Sequence, residues 1–261
     1  DPELGDDKLK DFVLEDLKKE GIECTPIIDK TLPTTQKNAF IAGGYRLLKV
    51  DTLDNRAISD KILTKFTKSI SESDSDVFVL SDFRHGVFSR NTIPKFIKAL
   101  PAGKMKVADS QVASRWGNIL DFKGFDLITP NEREARFSLG DQDSVVRPMA
   151  LELYNKAECK YLILKMGERG LITYRSADAS NPRAFFVIDS FADKVVDAVG
   201  AGDALLAYST LTLAATKSEV MASILGAMAA AVACANDGNN PVAPEEVLSI
   251  LNITEKRALY S

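Results

Sequence analysis

The stretch best equipped for chemistry runs from Lys194 to Ala204 and reads Lys-Val-Val-Asp-Ala-Val-Gly-Ala-Gly-Asp-Ala. A β-branched pair, Val195-Val196, leads into a turn of small residues, and an apolar helical pattern follows over residues 204–215. Glycines at 200 and 202 let the backbone come close to a ligand, and the start of a helix presents amides that have no acceptor within the helix. Those amides and the helix dipole together favour an anion. Asp203, a carboxylate at the same place, would repel an anion it touched. It makes better sense as a base acting on a hydroxyl beside a phosphoryl group. On these residues alone a plainer reading stands beside it: a tight strand-to-helix turn, with Asp203 as an acidic residue favoured by the dipole.

The elements that must position such a site alternate along the chain. A helix is expected over residues 6–20, where Leu9, Phe12, Val13 and Leu17 recur at helical spacing and Gly21 is a natural stop. Residues 38–42 and 45–50 read as two strands around Gly43-Gly44. Helical patterns over 58–70, 92–100, 131 onward and 144–157 then alternate with strands over 77–80, 105–108, 125–129 and 161–165. A strand-rich section over 171–196 gives way to helices. This rhythm predicts an α/β fold, a mostly parallel sheet with helices on both faces, as one domain with a small β appendage at about 24–50. In such sheets ligands lie at the carboxyl ends of the strands. Four places qualify: Ser81-Asp82, Asp109, Asn131 to Glu134, and the run from Asp197 to Asp203.

Composition narrows the partners. The 261 residues carry 33 Lys and Arg against 37 Asp and Glu, a net charge of −4, which argues against a nucleic acid or an anionic membrane as main partner. The apolar run at 220–235 falls short of the roughly 20 residues that a bilayer span needs. Cys24, Cys159 and Cys234 are few, odd in number and far apart, which fits reduced thiols in the cytoplasm. One histidine, His85, excludes any mechanism built on several His ligands. The N-terminus has no signal-peptide pattern, lacks an initiator Met and opens almost directly into a helix, so further sequence upstream is expected.

The segment Asp197-Ala198-Val199-Gly200-Ala201-Gly202-Asp203 closely resembles the signature of the ribokinase-like (PfkB) carbohydrate kinases, Asp-x-x-Gly-Ala-Gly-Asp. Asn131-Glu132-Arg133-Glu134 resembles that family's Asn-x-x-Glu motif. Lys165-Met166-Gly167-Glu168-Arg169-Gly170 is similar to its nucleotide-side strand and Gly-x-x-Gly turn, and residues 231–246 to its closing helix and adenine loop. The likeness is collinear over nearly the whole chain. Within the family, Leu80-Ser81-Asp82-Phe83, residues 33–37 and 47–51, and residues 128–135 look most like heptose-7-phosphate kinases.

The resemblance implies a ribokinase-like three-layer fold with a β lid, and transfer of the ATP γ-phosphoryl to a sugar or sugar-phosphate hydroxyl. Asp203 would be the general base, and the amides of Gly200, Ala201, Gly202 and Asp203 the anion hole. Glu134 and Asn131 would hold Mg²⁺, largely through water. Read alone, that pair is an ordinary helix N-cap with Glu at the third position. Lys165, Gly167, Gly170, Asp197 and Asn236 would meet the nucleotide; Lys37, Arg46, Asp82 and Asp109 would meet the sugar. Lid strands pairing between copies would make a homodimer.

The chain departs from the family pattern in three places. Val199 stands where a Thr is usual, and Asp109-Ser110-Gln111 where heptose-phosphate kinases carry Asp-Pro-Lys. The family's first strand, with its substrate-binding Asp and Gly-Gly-x-x-Asn motif, has no counterpart. No Gly-x-x-x-x-Gly-Lys-Ser/Thr loop is present, which excludes a P-loop enzyme. Ala243-Pro244-Glu245 reads as a helix start, His85 and Arg84 as loop residues, and Trp116 as packing. The rival classes are a nucleoside or pyrimidine kinase of the same fold and an inactive ligand-binding or assembly member.

Overall fold

The computed structural model describes residues 2–43, 45–111, 119–178 and 180–259, without the side chains of residues 45, 46, 258 and 259. Gly44 and Trp116, and with Trp116 its expected packing role, therefore lie outside the described residues. The chain divides into two compact units, residues 1–74 with 82–102, and residues 75–81 with 103–261.

In the first unit, β1 (Glu3–Leu4) pairs in parallel with β2 (Ile27–Ile28), and α1 (Lys8–Lys19) lies between them in sequence. Asp7 caps α1 by accepting the amides of Leu9 and Lys10. β3 (Gln36–Ala42) and β4 (Tyr45–Thr52) form the expected antiparallel hairpin, with Phe40 opposite Leu48 and a bulge between Phe40 and Ile41. Gly43 takes the positive φ, 58°, that such a tight reversal needs. α2 (Asp60–Glu72) follows, capped by Ser59, and buries Ile62, Leu63 and Phe66.

The second unit is built on a six-stranded, mostly parallel sheet. β5 (Val77–Asp82) leads in sequence to α3 (Ile93–Ala99), a helix of the first unit that packs on α2 through an edge-on contact of Phe66 with Phe96 at 5.8 Å. Then come β6 (Met105–Ser110), β7 (Leu127–Ile128), α4 (Glu132–Leu139), α5 (Val146–Ala157), β8 (Tyr161–Lys165), β9 (Leu171–Tyr174) and β10 (Phe185–Ile188). Three long helices close the chain: α6 (Ala201–Thr216), α7 (Glu219–Ala235) and α8 (Pro244–Leu259).

The strand order is β10-β9-β8-β7-β6-β5; β6, β7 and β8 run parallel, and β9 and β10 antiparallel. Side-chain alternation divides the core between the two faces. Ile163 and Leu171 pack with Leu205, Leu206 and Leu213 of α6 and Ala222 and Ala227 of α7. On the opposite face, α5 lies against β8 and β9, and the Tyr174 hydroxyl donates to the carbonyl of Arg147 at 3.0 Å. The central residues of β8 are buried throughout, as expected of a strand covered on both sides.

Two expectations change. α6 starts at Ala201, earlier than expected, because Gly200 adopts a φ of 80° and turns the chain directly into the helix. Val195-Val196 joins no strand. The Val196 amide donates to the carbonyl of Cys234 at the end of α7, 2.7 Å away, so its backbone is satisfied without a sheet partner.

α6 and α7 touch closely at Gly226, where a β-carbon would overlap Ser209 Oγ and sit 3.1 Å from the carbonyl oxygen of Leu205. Gly226→Ala should therefore lower stability by about 1–3 kcal/mol, read as a lower urea midpoint with unchanged slope. In the first unit, Glu3 has one buried oxygen with no hydrogen-bond partner. Burial, and then Asp29, push its pKa up to about 7. Asp29 itself is held low by the amide and hydroxyl of Thr31, at 2.8 and 2.7 Å. Because native Glu3 keeps its proton while the unfolded chain loses it near the usual carboxylate value, stability should fall as pH rises from about 4.5 to about 7. Urea midpoints at pH 5 and pH 8 should converge in Glu3→Gln relative to wild type.

Candidate functional site

The carboxyl ends of three neighbouring strands and the start of α6 bring one group of side chains together within the second unit. The ladder between β7 and β8 extends beyond the end of β7: the Lys165 amide donates to the Pro130 carbonyl at 2.9 Å, and Asn131 and Lys165 form a parallel bridge. That register fixes Lys165 beside the start of α4.

Asn131 caps α4. Its Oδ1 accepts the Glu134 amide at 2.9 Å, and Glu134 Oε2 accepts the Asn131 amide at 2.7 Å, a complete capping box. The plainer reading of this pair is thus part of its structure. Burial pushes the Glu134 carboxyl above the usual range, Lys165 opposes that shift and Asp109 adds to it. The three groups therefore act on one another electrostatically.

Asp109, at the end of β6, is buried. Its Oδ1 accepts the Thr129 hydroxyl at 3.0 Å and faces Lys165 Nζ at 3.2 Å. A β-carbon on Gly202 would lie 3.3 Å from the same Nζ, which places the ammonium at the first turn of α6. Gly200 supplies the positive φ there, and a β-carbon on it would overlap the side-chain oxygen of Asn239. Within that turn the Ala201 amide bonds to the Ala198 carbonyl at 3.3 Å, and Asp203 is half-buried. The arrangement combines a helix start, one ammonium and two buried carboxylates, Asp109 at the end of β6 and Glu134 in the first turn of α4. Together with a divalent cation it can hold a polyphosphate. The oxygen donors Glu134 and Asp109 suit Mg²⁺, which prefers one or two carboxylates and keeps much of its water.

Other expected residues are placed as follows. Gly167 and Gly170, with φ of 62° and 77°, form the turn after β8, and a β-carbon on Gly170 would overlap the Ile188 carbonyl. Asp197 accepts the Val199 amide at 3.2 Å. Asn236 ends α7 and donates to the Val232 carbonyl at 3.0 Å. In the first unit, Lys37 Nζ lies 5.6 Å from the centre of the Phe83 ring. Asp82 is buried with its carboxylate on Arg84: it accepts the Arg84 amide at 2.8 Å and pairs with the guanidinium. Arg84 has a φ of 63°, a left-handed conformation for which side chains other than glycine are strained. Burial, and then Lys37, hold the pKa of His85 below its usual range. The side chain of Arg46 lies outside the described residues.

The structure adds residues that the sequence reading missed. Thr129 and Asn239 are named above. Glu132 accepts from Arg136 Nε at 3.0 Å and pairs with Arg169, tying the turn after β8 to α4. Only Thr129, in Ile-Thr-Pro-Asn at a strand end, carried a positional signal.

The profile described as pfkB family carbohydrate kinase matches residues 3–246. Among curated proteins, Bifunctional protein HldE of Pelobacter propionicus is 26% identical over 253 residues, covering 94% of this chain and 50% of its own length. The same-named protein of a Bradyrhizobium species is 28% identical over 254 residues, with the same coverage. The chain spans about half the length of these relatives. Among solved structures, phosphofructokinase-2 from Escherichia coli in complex with potassium has a TM-score of 0.75 at 20% identity, covering 95% of this chain and 79% of that one. Ribokinase from Thermotoga maritima has a TM-score of 0.73 at 23% identity, covering 96% and 80%. Both likenesses are to the same fold, a ribokinase-like one.

Proposed function

The chain belongs to the pfkB family of carbohydrate kinases, and on that basis we propose that it transfers the γ-phosphoryl group of ATP to a hydroxyl of a sugar or sugar phosphate. The observation that carries this reading is the convergence of Lys165 Nζ, Gly202 and Asp109 at the start of α6, in the turn that also carries Asp203. Asp203 takes the proton of the acceptor hydroxyl as its oxygen bonds to the γ-phosphorus and the bond to the bridging oxygen of ADP breaks. The amides of Gly200, Gly202 and Asp203 and the Lys165 ammonium meet the charge on the transferring group, while the Ala201 amide is held by the Ala198 carbonyl. Glu134 and Asp109 would hold Mg²⁺, which when bound would add to the neutralisation of the phosphate oxygens. Asn131 fixes the Glu134 rotamer through the capping box. Gly167, Gly170, Asp197 and Asn236 border the nucleotide.

The reaction draws on cytoplasmic ATP, and the free Cys24, Cys159 and Cys234 fit a reducing compartment. No helix among the described residues is long and apolar enough to cross a membrane. The hairpin of β3 and β4 leaves Phe40, Ile41, Leu47 and Leu48 exposed, which supports a homodimer formed through that surface.

Two measurements test this reading. ADP formation from Mg-ATP by the full-length protein, over a panel of free and phosphorylated pentoses, hexoses and heptoses, should show sugar-dependent turnover. Asp203→Asn should cut kcat by about 10²- to 10⁴-fold with ATP still bound. Turnover unchanged by that substitution would remove Asp203 as the general base, and turnover absent with every sugar, with ATP still bound, would remove the kinase reading in favour of a binding protein. For the homodimer, Leu47→Glu with Leu48→Glu should shift the mass in solution from dimer to monomer. A wild type that is monomeric at all concentrations would sink that assignment.

A further inference from the structure

We propose that Asp109 and Lys165 together make this site select the metal-complexed polyphosphate over the metal-free one, Asp109 keeping Lys165 neutralised whenever the carboxylates of the site lack a cation. This rests on reading the start of α6 as a phosphoryl site.

Lys165 Nζ sits at the first turn of α6, where the positive end of the helix dipole repels a cation. What holds it there is Asp109 Oδ1 at 3.2 Å, an oxygen fixed in turn by the Thr129 hydroxyl at 3.0 Å. Both partners of the ion pair are largely buried, with side chains 16% and 7% exposed, so neither is screened as surface charges are. Glu134 is buried beside them. The local account is therefore two carboxylates against one ammonium.

A metal-free polyphosphate reaching these amides meets a lysine whose charge is already matched, and a surplus carboxylate that repels it. A polyphosphate that brings a divalent cation reverses both conditions. The carboxylates gain a partner, and Lys165 is released to the phosphate oxygens. Asp109 thus acts as a specificity-determining residue: it weakens the wrong form of the nucleotide more than the right one.

The test is calorimetric titration with Mg-ATP, with ATP in EDTA, and with inorganic tripolyphosphate in EDTA. Wild type should bind Mg-ATP at least about tenfold more tightly than metal-free ATP. Asp109→Asn should tighten metal-free ATP and tripolyphosphate by about tenfold, and leave Mg-ATP unchanged or weaker, so that the preference collapses. In a Lys165→Met background the same substitution should change metal-free binding by less than about threefold, the coupling expected of a contacting pair. Metal-free affinity that stays the same or falls in a folded Asp109→Asn protein overturns the proposal. Should that variant not fold, Asp109→Ser carries the same readout, and a wild type without preference for Mg-ATP overturns the proposal with no variant at all. Selective nucleotide binding without sugar-dependent turnover would remove the kinase reading and leave this one standing.

Discussion

The hydrogen bond from the Lys165 amide to the Pro130 carbonyl, 2.9 Å long, is the constraint on which the site depends. It is the rung that continues the parallel ladder past the end of β7 to the last residue of β8, and parallel register admits no one-residue slip without turning every side chain to the other face. Were it shifted, Lys165 would leave Asp109, and the buried hydrophobic set of β8 would exchange faces. The same hydrophobic burial that seats Leu162, Ile163 and Leu164 therefore sets the place of a charged nitrogen one residue later. Packing and electrostatics here share a single degree of freedom.

Asn131 and Glu134 show why a structural and a functional reading need not compete. The capping box satisfies amides that a helix start would otherwise leave open, and it locks Glu134 in one rotamer. A carboxylate so held is buried beside another carboxylate and resists ionisation. That cost is what a cation would relieve. A box of this kind on an exposed helix would stabilise the helix and do nothing more; beside Asp109 and Lys165 it also orients a donor.

The fold was largely legible because its signals are periodic. The strand at 161–165 was read with the bounds the structure gives it, and α5 and α7 within about two residues, from runs of buried residues flanked by polar ones. Gly200 to Asp203 was legible for a different reason: the glycines, the helix start and the acid lie next to one another in sequence. Asp109 with Lys165 was not legible as a pair. Fifty-six residues separate them, and only the sheet order places β6 and β8 on either side of β7. The resemblance implied that Asp109 meets the sugar; its ion pair with Lys165 is the ground for the phosphate-side role proposed above. Val195-Val196 misled in a different way. Its β-branched composition favours a strand, but the available acceptor was the end of α7.

The small residues between α6 and α7 have a consequence for motion. With Gly226 against Ser209, the Ser209 hydroxyl bonded to the Ala222 carbonyl at 2.9 Å, and Ser223 bonded to Thr173 at 2.8 Å, the two helices and β9 form one stiff body. The amides at the start of α6 open a helix that is held along this seam from about two turns further on. Their conformational entropy is lost when the chain folds, before any anion arrives, so a ligand there finds donors that need no further ordering.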